Sequence, residues 1–207
     1  MQENQQKNLL LIFTRNPELG KVKTRLAKDT GEQAALDIYK FLLEHTVSIT
    51  KNLPVKKRVF YSEEISHHDV WEKQVFEKKL QQGKSLGERM QNAFREGFKD
   101  GFRKVIIIGS DLYDLEQQDL EQAFKKLEEN DVVVGPAEDG GYYLLGMKSL
   151  NSDLFRNKMW GSNSVLQSTL EDLKNYQIKL LEERNDVDVL SDIIDHPAFQ
   201  KFLNQPK

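Results

Sequence analysis

Short aliphatic runs recur along this chain, each separated from the next by a stretch of helical periodicity, and that alternation leaves few architectures open. "NLLLIF" (8–13), "KRVFY" (57–61), "KVIIIG" (104–109) and "DVVVGP" (131–136) read as strands, mostly buried on both faces. Between them lie amphipathic segments. One runs from Thr24 to Lys51 with Ala27, Ala34, Leu36, Ile38, Phe41 and Leu42 among its apolar positions, and Gly31 breaks it early. Another runs from Leu86 to about Gly101, where Met90, Phe94 and Phe98 recur every fourth residue on one face. A third covers Glu116 to Glu129. Weaker signals predict a short helix near Asp69, a strand over Val75 to Leu80, helices over Leu150 to Arg156 and Ser164 to Asn175, a strand at Ile178 to Leu181 and a terminal helical segment. "GGYYLLGM" (140–147) enters a strand through a tight turn, which predicts an antiparallel member in an otherwise parallel sheet. The expectation is an α/β fold: a mixed, mostly parallel sheet flanked by helices.

At 207 residues one domain is expected over the whole chain, with 1–7 and 204–207 as flexible tails. Cysteine is absent, which excludes disulfides, thiolate nucleophiles and cysteine-ligated zinc. No HExxH pair occurs among the four histidines, so a histidine metalloprotease site has no support. The net charge of -3, from 33 acids and 30 bases, gives no broad basic surface for nucleic acid. "MQENQQKN" lacks the apolar core of a secretory signal, and no apolar run reaches the roughly 18 residues of a membrane span. A cytoplasmic protein is expected.

Against that acidic balance, "LLLIFTRNPELGKVKTRLA" (9–27) gathers Arg15, Lys21, Lys23 and Arg25 just after the first strand. Loops at the carboxyl ends of strands are where open α/β sheets bind ligands. Thr14 and Gly20 lie in the same loop; Gly20 lets the backbone approach a ligand, and the helix that follows offers free N–H groups to an anion. Arg can also hold two phosphate oxygens at once. The loop is neither Walker A nor GxGxxG, because "GKVKT" lacks the earlier glycine and the Lys-Ser/Thr step. A diphosphate or triphosphate is the ligand it suits. The alternative is a solvated basic helix start, which has cations opposing the helix dipole.

Later strand ends carry acids. "IIIGSDLYDL" places Asp111 directly past a buried strand, where a carboxylate can ligate Mg²⁺ or Mn²⁺ that in turn bridges phosphates. Asp114 sits where an N-cap for the next helix would sit. "GPAEDGGYYLLG" holds Glu138 and Asp139 before a Gly-Gly pair, which fits a tight turn and equally a site with room for a sugar or base. "NDVDVLSD" supplies Asp186, Asp188 and Asp192; spacing makes Asp188 a cap for the last helix, and its place at the chain's end also allows a second metal ligand. In "QQGKSLGERM", Gly83, Lys84, Gly87 and Arg89 precede a helix. In "MWGSNSVLQSTL", Ser162 or Ser164 reads as an N-cap.

Taken together and in order, these stretches resemble the radical-SAM/selenodomain-associated transferase 1 family of the nucleotide-diphospho-sugar transferase superfamily, over nearly the whole span from Leu9 to about Ile194. The resemblance implies a glycosyltransferase-A-like fold, a nucleotide site beside the first strand and a divalent metal after "IIIGS". A more distant similarity is to the guanylyltransferases of molybdenum-cofactor and lactate-phosphate cofactor synthesis. By position, Arg15, Lys21 and Arg25 would meet phosphates, Gly83 and Arg89 would lie near the nucleotide, Asp111 and Asp188 would meet metal, and Asp139 would face the transferred group or acceptor. The family usually has Cys and Pro where this chain has Leu112 and Tyr113, which keeps Asp111 in place and leaves the direction of Asp114 open.

These readings converge on a Mg²⁺- or Mn²⁺-dependent transferase using a nucleotide sugar or nucleoside triphosphate and an unidentified acceptor. Lys21 and Arg25 would stabilise the departing diphosphate, and Asp139 would serve as general base toward an acceptor hydroxyl. A non-catalytic nucleotide-binding module is the alternative. An aspartyl phosphatase is excluded, because "LIFTRN" has no aspartate at the end of the first strand.

Overall fold

The computed structural model describes residues 7–203. Seven strands form one sheet: β1 (Asn8–Thr14), β2 (Lys56–Tyr61), β3 (Glu77–Leu80), β4 (Lys104–Ile108), β5 (Val132–Pro136), β6 (Tyr142–Met147) and β7 (Ile178–Leu180), in the order β3-β2-β1-β4-β6-β5-β7. β6 alone is antiparallel, to both β4 and β5; the other pairings are parallel. The expected mixed sheet is therefore present. Leu9, Leu10, Leu11 and Ile12 are all fully buried, because helices cover both faces of β1.

The helices are α1 (Thr24–Thr30), α2 (Glu32–Thr50), α3 (Leu86–Lys99), α4 (Gln117–Glu129), α5 (Val165–Asp172) and α6 (Gln200–Leu203). Gly31 separates α1 from α2, as its position in the pattern predicts. Met90 and Phe94 of α3 enter one core cluster with Leu9, Leu11 and Val105, and Phe98 packs against its edge. On the other face Tyr39 and Leu43 of α2 and Leu120 and Phe124 of α4 pack with Leu10, Ile12 and Ile106.

Several expectations are corrected. No helix forms near Asp69; its carboxylate instead takes hydrogen bonds from the Tyr61 hydroxyl (2.5 Å), the Trp71 N–H (2.9 Å) and the Lys78 ammonium (2.6 Å), which fixes an irregular loop. The segment from Leu150 tightens to a single 3₁₀ turn, Ser152–Phe155. Lys7 is not part of a loose tail, since its carbonyl accepts the Arg103 N–H at 2.7 Å. Residues 1–6 and 204–207, the remainder of the expected tails, lie outside the described residues. No helix among the described residues is long and apolar enough to cross a membrane.

Candidate active site

From β1 the chain passes by α1 and α2 to β2 on one side, while β4 lies on the other, so the order reverses between β1 and β4. A crevice outside the carboxyl ends of the strands at such a point is the usual ligand site of an open α/β sheet. Five segments meet on this rim: the loop after β1, residues 81–85 after β3, 109–114 after β4, the 137–141 hairpin between β5 and β6, and 181–188 after β7. Because β6 runs antiparallel, its first residue Tyr142 also sits there.

A buried hydroxyl cluster ties the first and third segments together. Ser110 Oγ lies 3.2 Å from Thr14 Oγ1, and Tyr39 Oη lies 3.2 Å from Thr14 Oγ1 and 3.3 Å from Ser110 Oγ. The same phenol accepts the Arg15 N–H at 2.9 Å. Burial keeps the Tyr39 phenol above its ordinary pKa, so it stays neutral. Thr14, expected from the sequence among the nucleotide-binding residues, is 3% exposed, and its hydroxyl is taken up in this cluster. Asn16 anchors the other flank, its Oδ1 accepting the Glu63 N–H (3.1 Å) and its Nδ2 donating to the Glu64 carbonyl (2.9 Å).

The loop cations behave differently from one another. Arg15 is exposed, and its guanidinium has no hydrogen bond or ion pair among the described residues. Lys21 is exposed beside Glu18 (2.7 Å) and Glu63 (3.6 Å). Lys23 turns inward: it adopts a left-handed backbone (φ 47°), its side chain is 6% exposed, and its ammonium reaches Asp111 Oδ2 at 2.9 Å. Burial alone would lower the Lys23 pKa; the Asp111 carboxylate, with Asp186 and Asp188 behind it, outweighs that and holds the group above its ordinary value. Arg25 pairs with Asp188 Oδ2 at 2.9 Å on the surface. Gly20 has φ +73°, a turn conformation suited to glycine. Gly83 (φ +139°) precedes α3, and its carbonyl accepts the Arg89 Nε–H at 3.1 Å. Arg89 also bonds Gln81 (3.2 Å), which in turn donates to the Thr14 carbonyl (3.2 Å), so the 81–89 loop is fastened to the end of β1.

Next to this basic loop lies a cleft of about 230 Å³. Asp111, Asp139 and Asp186 line its polar side. Asp186 is carried there by 182–186, which extends alongside β5: Arg184 N–H donates to the Pro136 carbonyl at 3.1 Å and Glu138 N–H to the Arg184 carbonyl at 3.1 Å. Val187 N–H then reaches the Asp111 carbonyl at 3.2 Å. Burial pushes the Asp186 carboxyl up to about 6, helped by Asp111 and Asp139 and opposed by Lys23. Asp188, chosen from the sequence as the second metal ligand, is not among the lining residues; Asp186, two residues earlier, is. The helix-cap reading of Asp188 is corrected, because Asp192 does that work, its Oδ2 accepting the Asp188 and Val189 N–H groups at 2.8 and 2.7 Å.

Asp139 holds the hairpin turn and also lines the cleft. Its Oδ1 accepts the Gly141 N–H at 2.8 Å, closing the hairpin turn, and Oδ2 has no partner among the described residues. Gly140 (φ +85°) packs so tightly on Asn163 that a Cβ would collide with the Asn163 backbone, and its carbonyl accepts the Leu166 N–H at 2.9 Å. Asp114 caps no helix; Asp119 accepts the Glu116 N–H at 2.8 Å instead, and the Asp114 carbonyl binds Arg184. Tyr113, at one of the positions where the chain departs from its resemblance, stacks on Phe41 (5.4 Å) and meets Phe199 edge-on (5.0 Å), which pulls its neighbour Asp114 away from the cleft and leaves Asp111 on it. Ser164 stands at the N-cap position of α5 but bonds no helix N–H through its side chain.

The family model described as "Uncharacterized protein conserved in bacteria (DUF2064)" matches residues 46–162, more than half of the chain. The chain belongs to the DUF2064 family. That match contains the post-β4 loop and the hairpin of this DUF2064 protein, while the basic loop and Asp186 lie outside it. Among solved structures, a "putative nucleotide-diphospho-sugar transferase" from Desulfovibrio desulfuricans G20 is 29% identical, with a TM-score of 0.86 over 95% of this chain and 91% of that one. The fold also matches 4-diphosphocytidyl-2C-methyl-D-erythritol synthase from Anaerococcus prevotii DSM 20548 (9% identity, TM-score 0.60, 97% and 98% coverage). A further match is the inositol-1-phosphate CTP transferase from T. maritima (13% identity, TM-score 0.52, 96% and 95% coverage). Comparison with curated proteins gave no match.

Proposed function

We propose that this protein is a divalent-metal-dependent transferase that draws its transferred group from a nucleotide sugar or nucleoside triphosphate. The observation that carries this reading is the meeting of a basic loop after β1 with a carboxylate-lined cleft after β4 and β7, at the point where strand order reverses. The likeness to the Desulfovibrio protein and the cytidylyltransferase-type folds supports it. So does the motif resemblance to the radical-SAM/selenodomain-associated transferase 1 family, a finer membership that we propose alongside.

The donor set suits Mg²⁺ or Mn²⁺ bound together with phosphate. Burial first, and then the neighbouring Asp111 and Asp139 carboxylates, raise the Asp186 carboxyl against the opposing Lys23, so three acids share this cleft with one cation. No trio of acids or histidines among the described residues is close enough to hold an ion unaided. Asp111 and Asp186 would supply the protein ligands, which matches the one or two carboxylates that Mg²⁺ commonly takes beside phosphates and water. Such an ion supplies charge neutralisation on the leaving diphosphate.

The chain's own groups do the rest. Arg15 and Lys21 face solvent at the rim and can meet phosphate oxygens as the donor seats. Arg25 can join them by leaving Asp188, since an exposed pair of this kind is worth only about 0–1 kcal/mol. Asp139 Oδ2 is positioned to take the proton of an acceptor hydroxyl while Oδ1 keeps the turn.

A thermal-shift screen of nucleotides and nucleotide sugars, with and without Mn²⁺, tests the reading. A ligand at about 100 times its dissociation constant should add roughly 2.7 kcal/mol. No shift with any donor would overturn it. Binding without turnover across a donor and acceptor panel would favour a non-catalytic module, a reading encouraged by Lys23 and Arg25 already resting on acids.

A further inference from the structure

The cleft lining is of two unlike kinds. Besides the three aspartates it holds Met90, Tyr142, Trp160 and Val165, with the half-exposed Leu86. Among the described residues no lysine, arginine or histidine lines it. Its apolar wall is rigidly built. Trp160 packs so close to α3 that a Cβ on Gly87 would strike the indole, and Tyr142 meets the same indole edge-on at 6.4 Å. Two residues before it, the buried Lys158 ammonium is fastened to Ser168 (2.7 Å) and Asp172 (2.5 Å) of α5. The apolar surface continues outward, since Leu86 is 46% exposed and Met159, next to Trp160, is 70% exposed.

A phosphate on the acceptor would find no cation of its own in this lining. Of the loop cations only Lys23 reaches the acids, and three carboxylates outnumber it. A divalent ion shared with the donor would offset two of them, but the donor's own phosphates restore the negative charge, and a second phosphate would meet uncompensated repulsion in a partly buried site. Carboxylates are good acceptors for hydroxyl donors, and fixed aromatic rings bind apolar faces at small entropic cost.

We propose that this cleft takes the acceptor, and that the acceptor is an uncharged hydroxyl compound with an apolar portion, not a phosphate ester. This rests on the transferase reading above and names the substrate class that reading leaves open. In the transfer step the acceptor oxygen forms a bond to the electrophilic carbon or phosphorus of the donor. The bond from that atom to the leaving phosphate oxygen breaks, its electron pair departs with the leaving group, and the hydroxyl proton passes to Asp139 Oδ2.

Hexyl glucoside, glucose and glucose 1-phosphate serve as probes, titrated by ligand-observed NMR into the protein alone and again with CTP or UDP-glucose and Mg²⁺. Hexyl glucoside should bind in at least one condition, about tenfold or more tighter than glucose, because its chain buries several methylenes. It should exceed glucose 1-phosphate by more. Leu86→Glu, at a half-exposed position that spares the fold, should weaken hexyl glucoside roughly tenfold, and Trp160→Ala should weaken it further. Glucose 1-phosphate binding as tightly as hexyl glucoside, no glucoside binding in either condition, or an unchanged affinity in Leu86→Glu would each overturn the proposal. Nucleotide titrated in parallel separates the two readings. Glucoside binding without nucleotide binding would sink the transferase assignment and leave the ligand class of the cleft standing.

Discussion

The ammonium of Lys23 lies 2.9 Å from Asp111 Oδ2, joining the loop after β1 to the loop after β4 where the strand order reverses. The partners are unequal, the lysine side chain being 6% exposed and the aspartate 35%. Removing the acid strands a buried cation. Asp111→Asn should therefore lower stability by roughly 1–3 kcal/mol, measured by denaturant unfolding at pH 7.5 in metal-free buffer. The Lys23 pKa is raised above 10.5, so its stabilisation is complete at neutral pH and fades only as pH rises past that range. An Asp111→Asn protein as stable as the parent at pH 7.5 would show that the pair contributes nothing.

The exposed cations should behave in the opposite way. Lys21→Ala and Arg25→Ala remove surface charges whose ion pairs contribute little, so the melting temperature of the unliganded protein should shift only slightly. Nucleotide affinity should fall in both. Unaltered affinity would leave the loop a solvated surface.

Asp186 offers a pH test. Its carboxyl is raised to about 6, so the folded state holds this proton more tightly than the unfolded chain does. The sign follows: the charged form destabilises, and the cost builds as pH rises from about 4 through 6. Asp186→Asn should raise the melting temperature at pH 8 in metal-free buffer, and the gain should vanish near pH 4. A gain equal at both pH values would mean that charge is not the cause.

The central sheet was legible because its strands are buried on both faces and so appear as continuous apolar runs; the antiparallel β6 announced itself through the Gly140–Gly141 turn. The loop around Asp69 was not, since side-chain hydrogen bonds without periodicity shape it. In the site, placement was legible where a strand end fixes the position, as at Asp111 on the cleft. It was not legible where position depends on contacts far apart in sequence. Asp186 and Asp188 flank the buried Val187, and only the pairing of 182–186 with β5 decides which of them meets the cleft. Lys23 looked like its neighbours until its partner, 88 residues away, was known.

Asp139 should serve transfer more than binding. Asp139→Asn keeps an Oδ1 acceptor for the Gly141 N–H, so the hairpin survives while the base is lost. Turnover should fall about 10²-fold or more with nucleotide affinity intact. Parallel losses of stability and affinity would mark the residue as a turn former alone.

The metal assignment gives the sharpest contrast, because two aspartates separated by a single residue should behave differently. Asp186 lines the cleft with Asp111, whereas Asp188 holds Arg25 at its surface. If Asp111 and Asp186 bind the ion together with donor phosphates, neither metal nor nucleotide binds well alone, and each tightens the other by the same factor. Asp111→Asn and Asp186→Asn should shrink that factor and leave metal-free nucleotide binding equal or slightly stronger, through reduced repulsion of the phosphates. Asp188→Asn should leave the coupling intact. By freeing Arg25 it should, if anything, tighten nucleotide in the absence of metal. Nucleotide titrations with and without Mn²⁺ across the three variants measure this directly. Coupling lost in Asp188→Asn and kept in Asp186→Asn would return the second ligand to Asp188 and require the loop to release Arg25 before metal binds.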